Sequence, residues 1–276
     1  MDPPVLSADL FIKDSSKKER KNYLTWNENE LKMFKEMVVE HNINCRLDDM
    51  SLLSFLRAKK FDKERAIKLL RNYYSTRKRH PDIFGEFNPV ATKKYLDTKI
   101  VSFLPHTDQH GRVVALIQVP YWDPSKVDMK DVLKCMLIYQ DAALTGHLIQ
   151  VNGLVVIWDA KTLSWRHVLQ LTPSTMFCMT SLLFTAVPVR YKEIHVVNIG
   201  RFGYLFYNAL RPFLPYKIRK RVHIHSSEIE SLHKFIDSGF LPEEYGGDLP
   251  PHDPIECIEV ILKFQEYFED NQKYYS

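Results

Sequence analysis

The chain has little cysteine and sets none of it in a pattern. Cys45, Cys135, Cys178 and Cys257 are scattered, with no C-x-x-C pair and no cysteine–histidine ligand spacing. That argues against a disulfide framework and a structural zinc site. Dispersed, reduced cysteines suit the cytosol. The catalytic signatures are missing too: no G-x-S-x-G elbow, P-loop, H-E-x-x-H or G-x-G-x-x-G, and no cysteine in an H-C-x5-R loop. In MDPPVLSADLF no cationic leader precedes an apolar run, so no signal peptide is expected. Charge of one sign is also lacking. Thirty-eight lysines and arginines against 34 acids leave +4, too little for a dedicated nucleic-acid binder, so any basic function is local.

One tract lacks charge altogether. Residues 168–189 contain no Asp, Glu, Lys or Arg, long enough to cross a bilayer at about 20 residues. Gln170, Thr172, Pro173, Ser174, Thr175, Thr180, Ser181, Thr185 and Pro188 make it too polar, so a buried helix is expected instead.

With 276 residues, 45% hydrophobic and 26% charged, the chain can bury a sizeable core. Residues 1–22 read as a loose polar tail. Helices are expected over 27–39, capped by Asn27, over 50–57, and over 62–79, capped by Asp62 and ended by Pro81. The character then changes. "KIVSFL" and "RVVALIQV" flank the turn "HTDQHG" as a hairpin, and "GLVVIWD", "EIHVVN" and "RVHIH" read as further strands. Helices at 127–144, after Thr172–Pro173, at 202–213, 228–236 and 254–270 alternate with them. The fold class is therefore α/β: a mostly parallel sheet with helical covers behind an N-terminal helical unit.

The strand histidines His195, His223 and His225 have two readings, a metal site or satisfied edge residues, and the second is preferred. The apolar inventory says more. Phe202, Phe206, Leu210 and Phe213 follow helical spacing between Gly200 and Pro212, around Gly203. Such a stripe fills a core or, hinge-bounded, forms a lid over an apolar cavity. It runs into Lys217, Arg219, Lys220 and Arg221. If residues 215–221 are helical, Lys217 and Arg221 share a face. An apolar lid followed by cations suits a segment lying on an anionic membrane.

These residues resemble the CRAL-TRIO lipid-transfer family, within it the branch of α-tocopherol transfer protein and cellular retinaldehyde-binding protein. "LLSFLRAKKFDKERAIKLLRNYY" looks like the family's N-terminal module. "WDPSKV", "LSWRHVLQLTPS", "VPVRYKEIHVVN", "RPFLPYKIRKRVHIH" and "LPEEYGG" follow its lipid domain in order. The resemblance covers about residues 25–250. It implies a three-helix module over 23–88, a lipid-binding domain with a C-terminal helix over 89–276, and a mobile helical gate. It implies no catalysis, no cofactor and no metal.

By position, the resemblance places Leu133, Met136, Leu137, Gln140, Leu154, Val156, Leu171, Met179, Leu182, Leu183, Val187 and Ile194 at the cavity. It places Phe202, Phe206, Leu210 and Phe213 in the gate, and Lys59, Arg190, Lys192, Lys217 and Arg221 in a phosphoinositide-binding cleft. Gln140 is expected to anchor a ligand headgroup. Met136 and Gln140 stand where the tocopherol branch has serines, and Pro188-Val189-Arg190 replaces the P-E-R run of the phosphatidylinositol exchange proteins. The expected function is a monomeric cytoplasmic carrier of a small hydrophobic lipid, tocopherol- or retinoid-like, working at phosphoinositide-containing endosomal or plasma membranes. The rival is a phosphoinositide-sensing adaptor in vesicle traffic with little or no cargo. A lipid enzyme lacks a nucleophile–base set.

Overall fold

The computed structural model describes residues 26–225 and 229–275; the tail expected over 1–22 lies outside them. Three capped helices come first. Asn27 starts α1 (Glu28–Glu40), its side chain accepting from the N–H groups of Asn29 and Glu30. Asp48 caps α2 (Asp49–Ala58) and Asp62 caps α3 (Lys63–Lys78), accepting from Ser51 N–H and Arg65 N–H. Each cap satisfies a donor the helix leaves orphaned, worth ~1 kcal/mol. Pro81 does more than end α3. It opens a further turn, α4 (Pro81–Phe84), which Asn88-capped α5 (Pro89–Leu96) follows. Pro fits there because the first turn has no use for its missing N–H.

The hairpin forms as expected. β1 (Val101–Thr107) pairs antiparallel with β2 (Val113–Gln118). Asp108 holds the turn by accepting from His110 N–H and Arg112 N–H. Then α6 (Met129–Ala143) and α7 (His147–Asn152) lead to β3 (Leu154–Asp159). Helices α8 (Trp165–Val168) and α9 (Pro173–Thr180) lead to β4 (Tyr191–Val197). Helices α10 (Arg201–Leu210) and α11 (Tyr216–Arg219) lead to β5 (Val222–Ile224). The sheet order is β1-β2-β3-β4-β5, parallel from β2 onward, because helical crossovers return each strand in the same direction.

Two helices expected near the carboxyl end differ. Ile229–Lys234 winds as a 3-10 turn; Glu228 lies outside the described residues. The 254–270 helix is two, α12 (Ile255–Leu262) and α13 (Gln265–Gln272). They break at Lys263 and Phe264, where the chain bends and both Phe264 and Phe268 bury fully. The uncharged tract is also interrupted. α9 passes at Ser181–Thr185 into a wider π turn, and Phe177, expected to be buried, is 67% exposed. Among the described residues no helix is long and apolar enough to cross a membrane.

Strand side chains alternate between two faces. Val114, Leu116, Val155, Ile157 and Val197 meet Leu232, Ile236, Leu241 and Tyr245 on the back. On the front, Ala115, Leu154, Val156 and Val196 join one core with the helices, from Leu31 to Tyr275. The helical module and the sheet thus share a single interior.

That interior holds an ion pair. Arg77 donates from Nη2 to both Asp141 oxygens, at 2.8 and 3.0 Å, with both side chains fully buried. Tyr73 donates its hydroxyl to the same carboxylate, and the guanidinium lies 3.3 Å over the Tyr73 ring. Removing one partner strands a buried charge. Asp141→Ala is expected to lower unfolding stability by about 3–5 kcal/mol, and Arg77→Met with Asp141→Leu by far less. Urea unfolding distinguishes the two; equal losses would show that packing, not charge, dominates the site.

Candidate functional site

Between the front of the sheet and the helices lies an apolar cavity of about 130 Å³. Its floor is the alternate strand positions Ala115, Ile117, Leu154, Val156, Trp158, Ile194 and Val196. One wall is the α6 stripe Met129, Val132, Met136, Tyr139 and Gln140, at near-helical repeats. Met179, Leu183 and Phe184, from α9 and its π turn, add a second. The roof is α10, with Phe206, Tyr207 and Leu210, continued by Leu214.

Of the cavity residues expected, the structure brings Met136, Gln140, Leu154, Val156, Met179, Leu183 and Ile194 to the lining. Leu133 and Leu137 do not reach it. They sit one residue beyond Val132 and Met136, about 100° around the helix, and fill the core instead. Leu182 and Val187 are buried away from the cavity, and Leu171 packs half-buried against the core. In the gate, Phe206 and Leu210 face inward, while Phe202 and Phe213 pack at its margin. Tyr207, Leu214, Trp158, Phe184 and Tyr191 were missed. Strand alternation alone points Trp158 inward with Val156.

The lining has few polar groups, and one of them is fixed in orientation. Burial pushes the Tyr191 phenol up, with Asp141 adding to it, so the hydroxyl stays protonated. It donates to Gln140 Oε1 at 2.5 Å. The amide is thereby turned so that Nε2, a donor, is left without a partner among the described residues. Asp141, the next residue on α6 and about 100° around it, faces away from the cavity into the Arg77 pair.

The roof is held closely. A Cβ at Gly203 would stand 2.6 Å from Ile199 Cγ1, so glycine lets α10 lie against the chain before it. Phe206 packs on Trp158, with ring centroids 5.0 Å apart. The outer face of α10 exposes Tyr204 and Leu205. Beside it packs α8, where Trp165 and the following Leu169 are also exposed.

The expected cations gather in two groups. Lys59, at the end of α2, has its ammonium pKa lowered by burial and then by Arg65 and Lys217. Lys192 is lowered by burial and then by Arg190, Arg221 and Arg112. Two of these cations also have structural work. Arg190 Nη2 donates to the carbonyls of Gln150, at 2.5 Å, and Val151 at the end of α7, and Arg221 Nη1 donates to Tyr191 O. Lys217 and Arg221 do not share a helix face. α11 ends at Arg219, and Arg221 lies in the turn before β5. Arg219 and Lys220 flank the exposed Tyr216 ring. Arg57 was missed: buried in α2, it donates to Gln150 Oε1 at 2.7 Å, and its pKa is lowered by burial and by Arg190. The signal was a lone cation in an otherwise apolar helical run.

Among the described residues no cluster of three or more His, Cys, Asp or Glu is placed to hold a metal. The three histidines lie on the back of the sheet. His195 Nδ1 meets His225 Nε2 at 3.0 Å, and His225 Nδ1 meets Ser231 Oγ at 2.6 Å. Burial first, then His225, His223 and Arg112, push His195 down to about 3. Glu193 stands 3.7 Å from His195 but is engaged by Arg112 at 2.7 Å. The unfolded chain therefore takes up a proton below pH ~6.5 that the folded chain refuses. The share of stability that depends on His195 should be level above that pH and fall by up to ~1.4 kcal/mol per unit as pH drops toward 3. His195→Gln should flatten that slope in urea titrations across pH; an unchanged slope would exclude His195 as its source.

The comparisons with known proteins agree with this geometry. A family model described as "CRAL/TRIO domain" matches residues 97–247. The alpha-tocopherol transfer protein-like protein of Homo sapiens is 32% identical over 265 residues, covering 95% of this chain and 77% of that one. Clavesin-2 of Rattus norvegicus is 33% identical over 229 residues, covering 82% and 70%. The crystal structure of Sfh5 shares the fold at a TM-score of 0.50 and 14% identity, over 93% of this chain and 99% of that one. A cavity between sheet and helices, roofed by α10, lies within the matched span, and the chain belongs to the CRAL/TRIO family of lipid-binding and lipid-transfer proteins.

Proposed function

We propose that this protein carries a small hydrophobic lipid, of the size and character of a tocopherol or retinoid, to membranes bearing phosphoinositides. The observation that supports it best is the Gln140 amide donor, unpartnered among the described residues, in a cavity lined mainly by apolar groups. A buried donor costs free energy unless an acceptor meets it. The favoured cargo therefore has a ring or chain of hydrocarbon and one oxygen acceptor, a carbonyl or hydroxyl. Burying roughly 500 Å² of such a ligand contributes about 12 kcal/mol before binding costs, so capture is favourable and release is the harder step. Release falls to α10. Its exposed Tyr204 and Leu205, with Trp165 and Leu169 alongside, suit insertion at a lipid surface, and each nearby cation adds on the order of 1 kcal/mol on an anionic leaflet.

One observation favours the adaptor reading. The closed cavity is about 130 Å³, whereas sites for ligands of this size run ~300–1,000 Å³. Loading must therefore move the roof outward, or the cavity carries nothing. Native mass spectrometry on protein purified from lipid-rich extract separates the two. A carrier retains a lipid mass; protein that stays empty yet binds phosphoinositide vesicles is the adaptor.

Two substitutions examine the carrier directly. Gln140→Leu should weaken retinaldehyde binding roughly tenfold with little effect on a pure hydrocarbon analogue, as read by ligand fluorescence; equal loss for both would remove the donor's role. Lys59→Ala with Lys217→Ala, which leaves the structural contacts of Arg190 and Arg221 in place, should slow transfer to vesicles containing phosphatidylinositol bisphosphate by about 30-fold. Ligand capture should be unchanged. Transfer at the wild-type rate would count against the cationic surface.

A further inference from the structure

A second, larger hollow of about 420 Å³ opens where α2, α3 and the α6–α7 turn meet α12 and α13. It shares no lining residue with the apolar cavity. Its wall is aromatic: Phe55, Tyr73, Tyr74, Phe264 and Tyr267. Arg46, also in the wall, is already satisfied. It donates to Asp48 at 2.8 Å and Asp270 at 2.7 Å, and it lies 4.8 Å over the Tyr267 ring.

The remaining charges are different. Lys35, Lys263, Asp49 and Glu266 line the hollow, and none of the four is in an ion pair among the described residues. Asn271, only 2% exposed, also lines it, with Oδ1 lacking a partner among the described residues. A buried carboxamide oxygen without a donor asks for a ligand or a water. Two free ammonium groups and two free carboxylates shape the choice. A ligand of single charge meets as many like charges as opposite ones. A molecule carrying both charges is complemented at each end.

We propose that this hollow binds a small zwitterion with an apolar or aromatic side chain, the chemistry of a free aromatic amino acid. Its ammonium group takes Asn271 Oδ1 and the carboxylates of Asp49 and Glu266. Its anionic group takes Lys35 and Lys263, and its side chain lies on the phenyl and phenol rings. The volume is ample for such a ligand, at the lower end of the ~300–1,000 Å³ usual for small-molecule sites.

The probe is L-phenylalanine, titrated into the full-length protein by calorimetry. Phenylalaninamide keeps only the positive charge and 3-phenylpropionate only the negative. Saturable binding is expected for phenylalanine, with each analogue about tenfold weaker. Lys263→Gln and Glu266→Gln, both at exposed positions, should leave the fold intact. Lys263→Gln should bring phenylalanine down to the affinity of phenylalaninamide, and Glu266→Gln down toward that of phenylpropionate. Absence of saturation, an analogue binding as tightly as phenylalanine, or variants with unchanged affinity would each overturn the proposal. None of these outcomes bears on lipid capture in the other cavity.

Discussion

The arrangement depends on the pair between Arg77 and Asp141. One charge comes from the helical module and the other from α6, the helix that walls the cavity. Two ions taken fully out of water hold together only with good geometry and further hydrogen bonds. Here the carboxylate has both oxygens on Arg77 and a third donor in Tyr73. The pair sets the rotation of α6. With Asp141 turned to the module, Gln140 and Met136 turn to the sheet, and the cavity acquires an amide donor that is unpartnered among the described residues. A hydrophobic contact would bury as much area but would tolerate rotation more readily than a buried pair in which one Arg77 nitrogen meets both carboxylate oxygens.

From that donor a chain of contacts runs to the surface. Gln140 accepts from Tyr191, whose backbone carbonyl accepts from Arg221. Tyr191 begins β4, next to Arg190 and Lys192, so the cationic edge and the cavity wall are parts of one strand end. Arg190 in turn closes the carbonyl end of α7. Arg190 and Arg221 are therefore built into the frame, while Lys192 and Lys217 stand at exposed positions beside them. The Arg221 guanidinium thus stands two contacts from the cavity's polar group. The roof is attached differently. α10 is bounded by apolar contacts, Phe206 on Trp158 and Gly203 against Ile199, which carry little directional preference and allow displacement without stranding a polar group.

Legibility followed the range of the forces. Asn27, Asp62, Thr172 and the Asp108 turn were readable because each satisfies a donor within four residues. The Phe206–Leu210 stripe was readable because a helix repeats every 3.6 residues. Phe202 and Phe213 share the pattern but lie at the ends, where the roof leaves the cavity. Leu133 and Leu137, set at the cavity by the resemblance, lie one step around α6 from the lining residues Val132 and Met136, and a run as apolar as "VLKCMLIY" does little to fix its phase. The π turn after Thr180, which reorients Leu183 and Phe184, leaves no mark in the sequence at all.

The sequence by itself determined the α/β class, the order of elements, the capped helices, the family and the residue types from which cavity, roof and cationic edge are drawn. These follow from periodicity, caps and ordered motifs, all short-range and therefore written locally. Only the tertiary structure decided which side of α6 faces the sheet, how Tyr191 orients Gln140, which arginines are spent on backbone carbonyls, and that a second hollow opens against α13. Each of those depends on partners tens to hundreds of residues apart, such as Arg77 with Asp141 or Arg46 with Asp270. Their pairing is chosen by the geometry of the assembled core, which no local pattern records.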